Sequence, residues 1–376
     1  MLPRDPHQPH RTASTLELFF DLVFVVAVSI ASAQLHHALS AGEFVHGLVS
    51  YAMIFFAIWW AWMNFTWFAT SFDTDDWLYR VLTFVQMGGV LILAAGIPAA
   101  FEHGDFTFPV LGYIVMRVAM IAQWLRASTG PLQPATRRYA LGIGVVQLLW
   151  VALLFIPASF QIPAFVLFAL VEVMVPVFAE HRVQTPWHPH HITERYGLFT
   201  LIVLGESLLA SANAIVEALQ EVESLGPLIA IAALTLIATA ALWWIYFWPP
   251  HHRAITSLGR SLRYGYTHYF VFAAAAAFSA GIEVEIDVLT HHSELPGIAA
   301  SFTVTVPIAV FLLGVWWIAI RENADRVVNT VVPVGAALVL LDPVLPIPVT
   351  LTAVILAVIV AVLVIRPPVT DTDTDT

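Results

Sequence analysis

The sequence predicts an all-α, polytopic membrane protein of about twelve transmembrane helices, laid out as two parallel six-helix repeats. Three observations predict it. The chain is 59% hydrophobic and 11% charged, with mean hydropathy +0.83, too apolar for a soluble domain. Apolar stretches of roughly 20 residues, the length that crosses a bilayer, recur from end to end with short connections. All fifteen basic residues are arginines. Once the stretches are threaded through a membrane, fourteen of these arginines face one side.

The spans begin near Glu17, Val45, Leu78, Phe106, Thr136, Ile162, Glu194, Leu225, Leu262, Gly297, Arg326 and Val349. The first opens on Glu17 and Asp21, one turn apart, where the helix dipole favours carboxylates. The second closes on Trp59-Trp60-Ala61-Trp62 and Asn64. The third follows the acidic turn Asp73-Thr74-Asp75-Asp76. The fourth carries Arg117 in its middle, and the sixth carries Glu172. The seventh opens on Glu194-Arg195 and carries Glu206 in its middle. The eighth ends in Trp243-Trp244, and the ninth carries His268 in a tyrosine-rich turn. The eleventh and twelfth are interrupted by Pro333, Pro343, Pro346 and Pro348. The first spans are too long and too close together for a cleaved leader.

Internal correspondences define the repeat. Trp59-Trp60 matches Trp243-Trp244. Tyr79 and Gly96 match Tyr264 and Gly281 at the same offset of 185 residues. Six is an even number of crossings, so the halves share one orientation, as in channels and transporters with parallel repeats. The expected layout is a cytoplasmic tail (1–15), a first repeat (16–179), a polar linker (180–193), a second repeat (194–366) and a disordered tail (367–376) ending in the Asp-Thr run.

With the N-terminus and C-terminus in the cytoplasm, Arg4, Arg11, Arg80, Arg126, Arg137, Arg138, Arg182, Arg195, Arg253, Arg260, Arg263, Arg321, Arg326 and Arg366 all fall inside, an unusually complete form of the positive-inside bias. The outer loops and helix ends carry Glu43, Glu102, Asp105, Glu217, Glu221, Glu223, Glu283, Glu285, Asp287, Glu294 and Asp342. Such a face concentrates cations, or simply serves topology and solubility.

With no cysteine, thiol nucleophiles, disulfides and thiolate metal sites are excluded. With no lysine, a Walker A loop and Schiff-base chemistry are excluded. The fifteen histidines cluster as His36-His37, His251-His252, His291-His292 and His188, His190 and His191, without metal-ligand spacing. No metal, cofactor, nucleic-acid partner or enzymatic activity is expected.

Leu16-Glu17-Leu18-Phe19-Phe20-Asp21-Leu22-Val23-Phe24-Val25 resembles the opening motif of the bacterial low temperature requirement A family. So do Trp59-Trp60-Ala61-Trp62 with Asn64, Phe72-Asp73-Thr74-Asp75-Asp76 and Tyr79-Arg80. Thr193-Glu194-Arg195-Tyr196-Gly197-Leu198-Phe199-Thr200-Leu201-Ile202-Val203-Leu204-Gly205-Glu206-Ser207 resembles its second signature. The likeness covers roughly residues 12–366 and implies a multi-pass protein of the bacterial inner membrane. A more distant likeness is to the two-repeat lysosomal and bacterial potassium channels. Phe19-Phe20-Asp21 is similar to their Phe-Ser-Asp motif, but Phe20 replaces the serine and Tyr196-Gly197-Leu198 stands in the second half.

Arg117, Glu172 and Glu206 each lie about 16–18 Å along their helices, near the centre of a ~30 Å core, where a charge needs a partner. Arg117 is expected to pair with one carboxylate, leaving the other as an ion or coupling site; the alternative is a static network that orients helices. Arg195, Glu206, Asn213 and Glu217 share about a 40° sector of one helix, the mark of a polar pathway. Gly205 would admit a neighbouring backbone. Asn64 needs a partner inside the bundle, and the tryptophans suit an interfacial belt. Glu17, Asp21, Asp75, Asp76, Arg80, Glu194 and Arg195 form a candidate cytoplasmic gate, with Arg80 or Arg195 pairing Glu17 and Asp21. His268 is either a pathway residue or a satisfied core histidine.

These residues point to a secondary transporter of a small solute or cation, with the lipid bilayer as its surroundings and a homodimer as one assembly. A passive potassium-like cation channel, and a non-transporting protein of cold or envelope adaptation, are the alternatives.

Overall fold

The computed structural model describes residues 1–9, 11–130, 132–218, 225–344 and 350–369, without the side chains of Ala214, Ile215, Glu217, Ala218, Leu225 and Thr350. Glu221, Glu223, Pro346, Pro348, Val349, the Asp371–Thr376 run and the Glu217 side chain therefore lie outside it.

Among the described residues the regular structure is helical. In chain order the helices are α1 (Thr15–Ser40), α2 (Phe44–Phe72), α3 (Trp77–Ala95), α4 (Ile97–His103), α5 (Thr107–Ala127), α6 (Gln133–Leu153), α7 (Ala158–Val173) and α8 (Val175–Glu180). They continue with α9 (Pro189–Ala218), α10 (Leu225–Phe247), α11 (Leu258–Leu289), α12 (Gly297–Val315), α13 (Arg321–Asn323), α14 (Arg326–Leu341) and α15 (Thr350–Ile365). Ten helical segments among the described residues are long and apolar enough to cross a membrane. The helix Gln133–Leu153 is not among them; Arg137 and Arg138 sit in its first turns. The stretch Leu351–Ile365 is apolar but shorter.

Local chemistry sets the helix starts. Ser14 and Glu17 form a capping box: the Glu17 N–H donates to Ser14 Oγ (3.3 Å), and the Ser14 N–H donates to Glu17 Oε2 (2.8 Å). Asp76 caps α3, accepting the Leu78 and Tyr79 N–H groups at 3.0 and 2.9 Å, and Asp325 caps α14 through Val328. Pro98 and Pro176 stand at the first turns of α4 and α8, where a missing N–H costs nothing. They divide two membrane-length segments, Trp77–His103 and Ala158–Glu180, into a longer and a shorter helix. Pro333 lies inside α14, which continues through it. The segment Trp316–Ile320 is a π-turn between α12 and α13.

The chain forms two compact units, Met1–Ala31 with Ser50–Arg195, and Ser32–Val49 with Tyr196–Thr376. In the first, α3 packs on α5 and α5 on α6. In the second, α11 packs on α12, α12 on α14, and α10 and α14 on α15.

The start of α1 shows the inverted logic of a helix in lipid. Glu17, Asp21, Phe24 and Val28, within about a 60° sector, are buried. Phe19, Leu22 and Val26 on the opposite face are exposed, as lipid contact requires. Trp59, Trp60 and Trp62 are buried at 2%, 1% and 0% exposure, so they are core side chains rather than an interfacial belt. Trp243 and Trp244 are both 43% exposed. The two similar Trp-Trp sequences thus occupy different environments.

Small residues set the tightest crossings. A Cβ on Gly89 would lie 2.7 Å from the Gly112 carbonyl oxygen, and one on Gly112 would strike the Gly89 carbonyl. The α3 and α5 backbones therefore touch directly. In the second unit Gly281 of α11 lies against the Thr303 backbone of α12 in the same way. Nothing lies within 4 Å of a Cβ at Gly205, so the close approach expected there does not occur. Gly112→Val should destabilise the protein by about 1–3 kcal/mol through overpacking, read as a lower melting temperature in detergent. Gly88→Ala, with open space around it, is the control; equal effects would show that the α3–α5 crossing is not the constraint.

Candidate functional site: two buried charge clusters

The first unit holds two charge clusters inside membrane-length helices. The first joins α1 to the start of α9. Glu17 and Asp21 are one turn apart on α1, and His191 and Arg195 one turn apart on α9, so each pair shares a helix face. Arg195 donates from Nη1 to Glu17 Oε1 (2.8 Å), from Nη2 to Asp21 Oδ1 (2.6 Å) and from Nε to Asp21 Oδ2 (3.2 Å). Trp62 Nε1 of α2 donates to Asp21 Oδ1 at 2.7 Å. His191 Nε2 lies 3.2 Å from Glu17 Oε2. All five side chains are at or below 1% exposure.

The N-terminal segment lies over this cluster and does not form a free tail. Arg11 donates to the Thr70 and Ala69 carbonyls at the end of α2, the end where a cation suits the dipole. Arg4 reaches Asp73 (3.4 Å) and Gln8 (2.8 Å). His188 Nε2 bonds the Gln8 carbonyl at 2.9 Å, and Ser71 Oγ donates to the Pro186 carbonyl at 2.7 Å. Arg4, Gln8 and Arg11, with Pro186 and His188 of the 180–193 connection, are thereby tied to the end of α2. Burial, followed by the charge of Arg4, draws the Arg11 guanidinium down to about 10. Burial, reinforced by Glu17, raises the Asp73 carboxyl above its ordinary value.

Arg80 is not part of this cluster. It forms an exposed bidentate pair with Asp75 (2.8 and 2.7 Å), because its position on α3 faces out. Asp76 caps α3 and accepts from Arg126 at 2.8 Å. Against a burial cost, bonds from Thr74, the Tyr79 N–H and Arg126 hold its carboxyl down at about 2. Glu194 is half-buried beside Arg195. Of the gate candidates, Glu17, Asp21 and Arg195 come together; Asp75, Asp76 and Arg80 lie elsewhere.

The second cluster joins α5, α6 and α7. Arg117 pairs with Glu172 and donates to the Tyr113 hydroxyl one turn earlier at 3.0 Å, and its guanidinium lies 4.7 Å from the Tyr113 ring centre. Trp150 Nε1 donates to the second Glu172 oxygen. Tyr113 and Trp150 also line a shallow, open apolar cleft with Phe56, Phe106, Val110 and Phe165. Trp150 and Tyr113 were not anticipated, though Tyr113 stands four residues from Arg117, the spacing of a same-face partner.

Glu206 belongs to the second unit, is half-buried, and makes no hydrogen bond or ion pair with any described residue. Asn213 is exposed while Arg195 is sealed, so the polar sector of α9 does not run through one environment. Asn64 donates to the Trp60 carbonyl of its own helix (2.7 Å) and needs no partner in the bundle. His268 is fully buried between Tyr246 (3.0 Å from Nε2 to the hydroxyl) and the Tyr264 carbonyl (2.8 Å from Nδ1). His251 completes that network, bonding the Tyr246 carbonyl (2.6 Å) and the Tyr264 hydroxyl (3.1 Å). His36, at the far end of α1, lies between Glu283 (3.1 Å) and Asp287 (2.7 Å). No group suited to a metal ion occurs among the described residues.

Two outcomes follow from these geometries. Arg195→Met leaves two buried carboxylates without their cation and should cost about 3–5 kcal/mol, whereas Arg80→Met, in an exposed pair, should cost about 0–1 kcal/mol. Similar melting temperatures for the two variants would contradict the sealed cluster. Burial pushes the His251 imidazole down to about 4, so the folded state resists a proton that the unfolded chain accepts. That stability is complete above an ordinary pKa of about 6.5 and is lost as pH falls from there toward 4. Stability measured between pH 7.5 and 4.5 should fall, and His251→Gln should flatten the slope; an unchanged slope assigns it to another group.

A family model described as the bacterial low temperature requirement A protein (LtrA) matches residues 12–365. The match includes both clusters, from Glu17 through Arg195. A relative, the uncharacterized protein RA0937 of Rhizobium meliloti (strain 1021), is 30% identical over 254 residues. That alignment covers 64% of this chain and 60% of the relative, so the chain spans less than two thirds of that relative's length. With nearly its whole length matched, the chain is a multi-pass membrane protein that belongs to the bacterial low temperature requirement A family.

Proposed function

We propose that this protein is a secondary transporter of a small solute or cation in the bacterial inner membrane. The observation that carries the reading is the burial of Arg195 with Glu17 and Asp21, and of Arg117 with Glu172, inside membrane-length helices. Charges buried in membrane-length helices are costly and are functional-site candidates by default. The half-buried Glu206, unpaired among the described residues, is the site on this reading at which a cation or a hydrogen-bonding solute meets α9, with Asn213 further along it. The clusters around Arg117 and Arg195 hold the helices that move.

Twelve crossings fit this reading. The helix Gln133–Leu153 has 21 residues, long enough at 1.5 Å each to cross, and α15 supplies the last. Two six-helix repeats, 16–179 and 194–366 with a linker at 180–193, are supported by two comparable crossings: α3 on α5 and α11 on α12, each closed by glycine against backbone. The arginine asymmetry supports cytoplasmic termini.

Flux tests the proposal. Proteoliposomes under a proton or sodium gradient, offered potassium, sodium and a panel of small metabolites, should show saturable uptake of at least one. Glu206→Gln should strongly reduce it without changing the melting temperature. Unsaturated, voltage-driven current would make the protein a channel, and no flux of any probe would make it a non-transporting protein of the envelope.

A further inference from the structure

Acids outnumber arginines by one around the α1–α9 cluster, among the described residues. Glu17 and Asp21 face one Arg195. Around them stand Arg4 and Arg11 from the N-terminal segment, Asp73 from the end of α2, Glu194 on α9 and the Tyr79 hydroxyl on α3. Among the described residues that makes four acids against three arginines; the most deeply buried members, Arg11 and Arg195 with Glu17 and Asp21, are equal in number, and the excess acid is the half-buried Glu194. His188 does not supply the missing cation. Its Nε2 is bonded to the Gln8 carbonyl, and its Nδ1 accepts the His191 N–H. An excess acid this close to two buried carboxylates raises the cost of keeping both of them ionised.

A metal cation is a poor candidate for the remainder, because the carboxylate oxygens already accept N–H donors. Glu17 Oε1 accepts from Arg195, and Oε2 from Ser14 and His191. Asp21 Oδ1 accepts from Arg195 and Trp62, and Oδ2 from Arg195. No oxygen cage of the kind that a hard cation needs is left. Among the described residues two polar atoms of the cluster are buried without a hydrogen-bond partner, the Tyr79 hydroxyl and His191 Nδ1, and of the two only the imidazole nitrogen takes up a proton near neutral pH.

We infer that this cluster is a proton-binding site, with His191 Nδ1 the atom that takes up and releases the proton. The proton comes from bulk water and returns to it, and only the Nδ1–H bond forms or breaks. With the proton bound, His191 donates to Glu17 as an imidazolium, the cluster is neutral, and α1 and α9 are held together. Without it, the excess negative charge favours entry of water between them. The inference goes beyond the transport reading, and its readout is the charge of the ring rather than flux, so the two fail separately.

The experiment is nuclear magnetic resonance of the full chain in nanodiscs with nitrogen-15 histidine, titrated from acid to alkaline pH. The His191 signal is identified by its loss in His191→Gln. If that variant does not fold, a ring-to-carboxylate cross-peak to labelled glutamate, lost in Glu17→Gln, identifies it instead. His191 should be an imidazolium at neutral pH in the wild type. In Glu17→Gln, which keeps a residue suited to the capping box, its titration should move down by at least about one pH unit. A wild-type ring that is neutral where the exposed His190 is charged, or a titration unmoved by Glu17→Gln, overturns the assignment.

Discussion

A charge taken out of water inside a membrane-length helix must be met by an opposite charge and by hydrogen bonds that use its remaining capacity. Arg195 is where the first unit meets that demand most fully. Its three bonds to Glu17 and Asp21 tie the start of α9 to the start of α1 across 174 to 178 residues of chain. Glu17 in turn closes the capping box with Ser14, so the same carboxylate starts α1 and fixes where α9 meets it. Trp62 brings α2 to the same point. The N-terminal segment is then held across the end of α2 by Arg4 and Arg11.

The Arg117 cluster solves the same problem differently. One arginine meets one carboxylate, and the Tyr113 hydroxyl and Trp150 indole supply the remaining bonds. The pair is electroneutral, and its surroundings are aromatic and apolar. That arrangement can orient α5, α6 and α7 without exchanging an ion. The Arg195 cluster, with two acids to one arginine, cannot be balanced by its first partners alone. Equal depth of burial therefore does not mean equal role: stoichiometry separates a self-contained ion pair from a cluster that draws on charges beyond its first partners, the buried Arg11 among them.

Much of this was legible in the sequence, and the limits are physical. Spans are visible because a bilayer imposes a length of about 20 apolar residues on each helix. Depth marks Arg117, Glu172 and Glu206 as possible partners but does not choose between the two carboxylates; only the packing of α5, α6 and α7 pairs Arg117 with Glu172. Arg195 as a partner of Glu17 and Asp21 could be named but not separated from Arg80, because both flank acids at the same membrane level. Only the direction that each side chain takes from its helix decides between them, and α3 turns Arg80 outward to Asp75. The tryptophans mislead for a related reason: Trp59-Trp60 and Trp243-Trp244 are alike in sequence, but only the first pair faces the core.

His191 marks the boundary of what spacing can give. Glu17 and Asp21 repeat at four residues, as do His191 and Arg195, and Tyr113 and Arg117. A same-face pair of ionisable or polar side chains near the start of a helix is a local signal. Two such faces meeting is not local, and nothing in residues 188–195 alone sets the histidine against Glu17. Once they do meet, the histidine ceases to be one of a surface run. Its Nε2 is committed to a carboxylate and its Nδ1 is left buried and open. The same side chain that would be a solvated imidazole one position earlier, at the exposed His190, becomes here a group able to take up a positive charge without giving up a bond that holds α1 to α9.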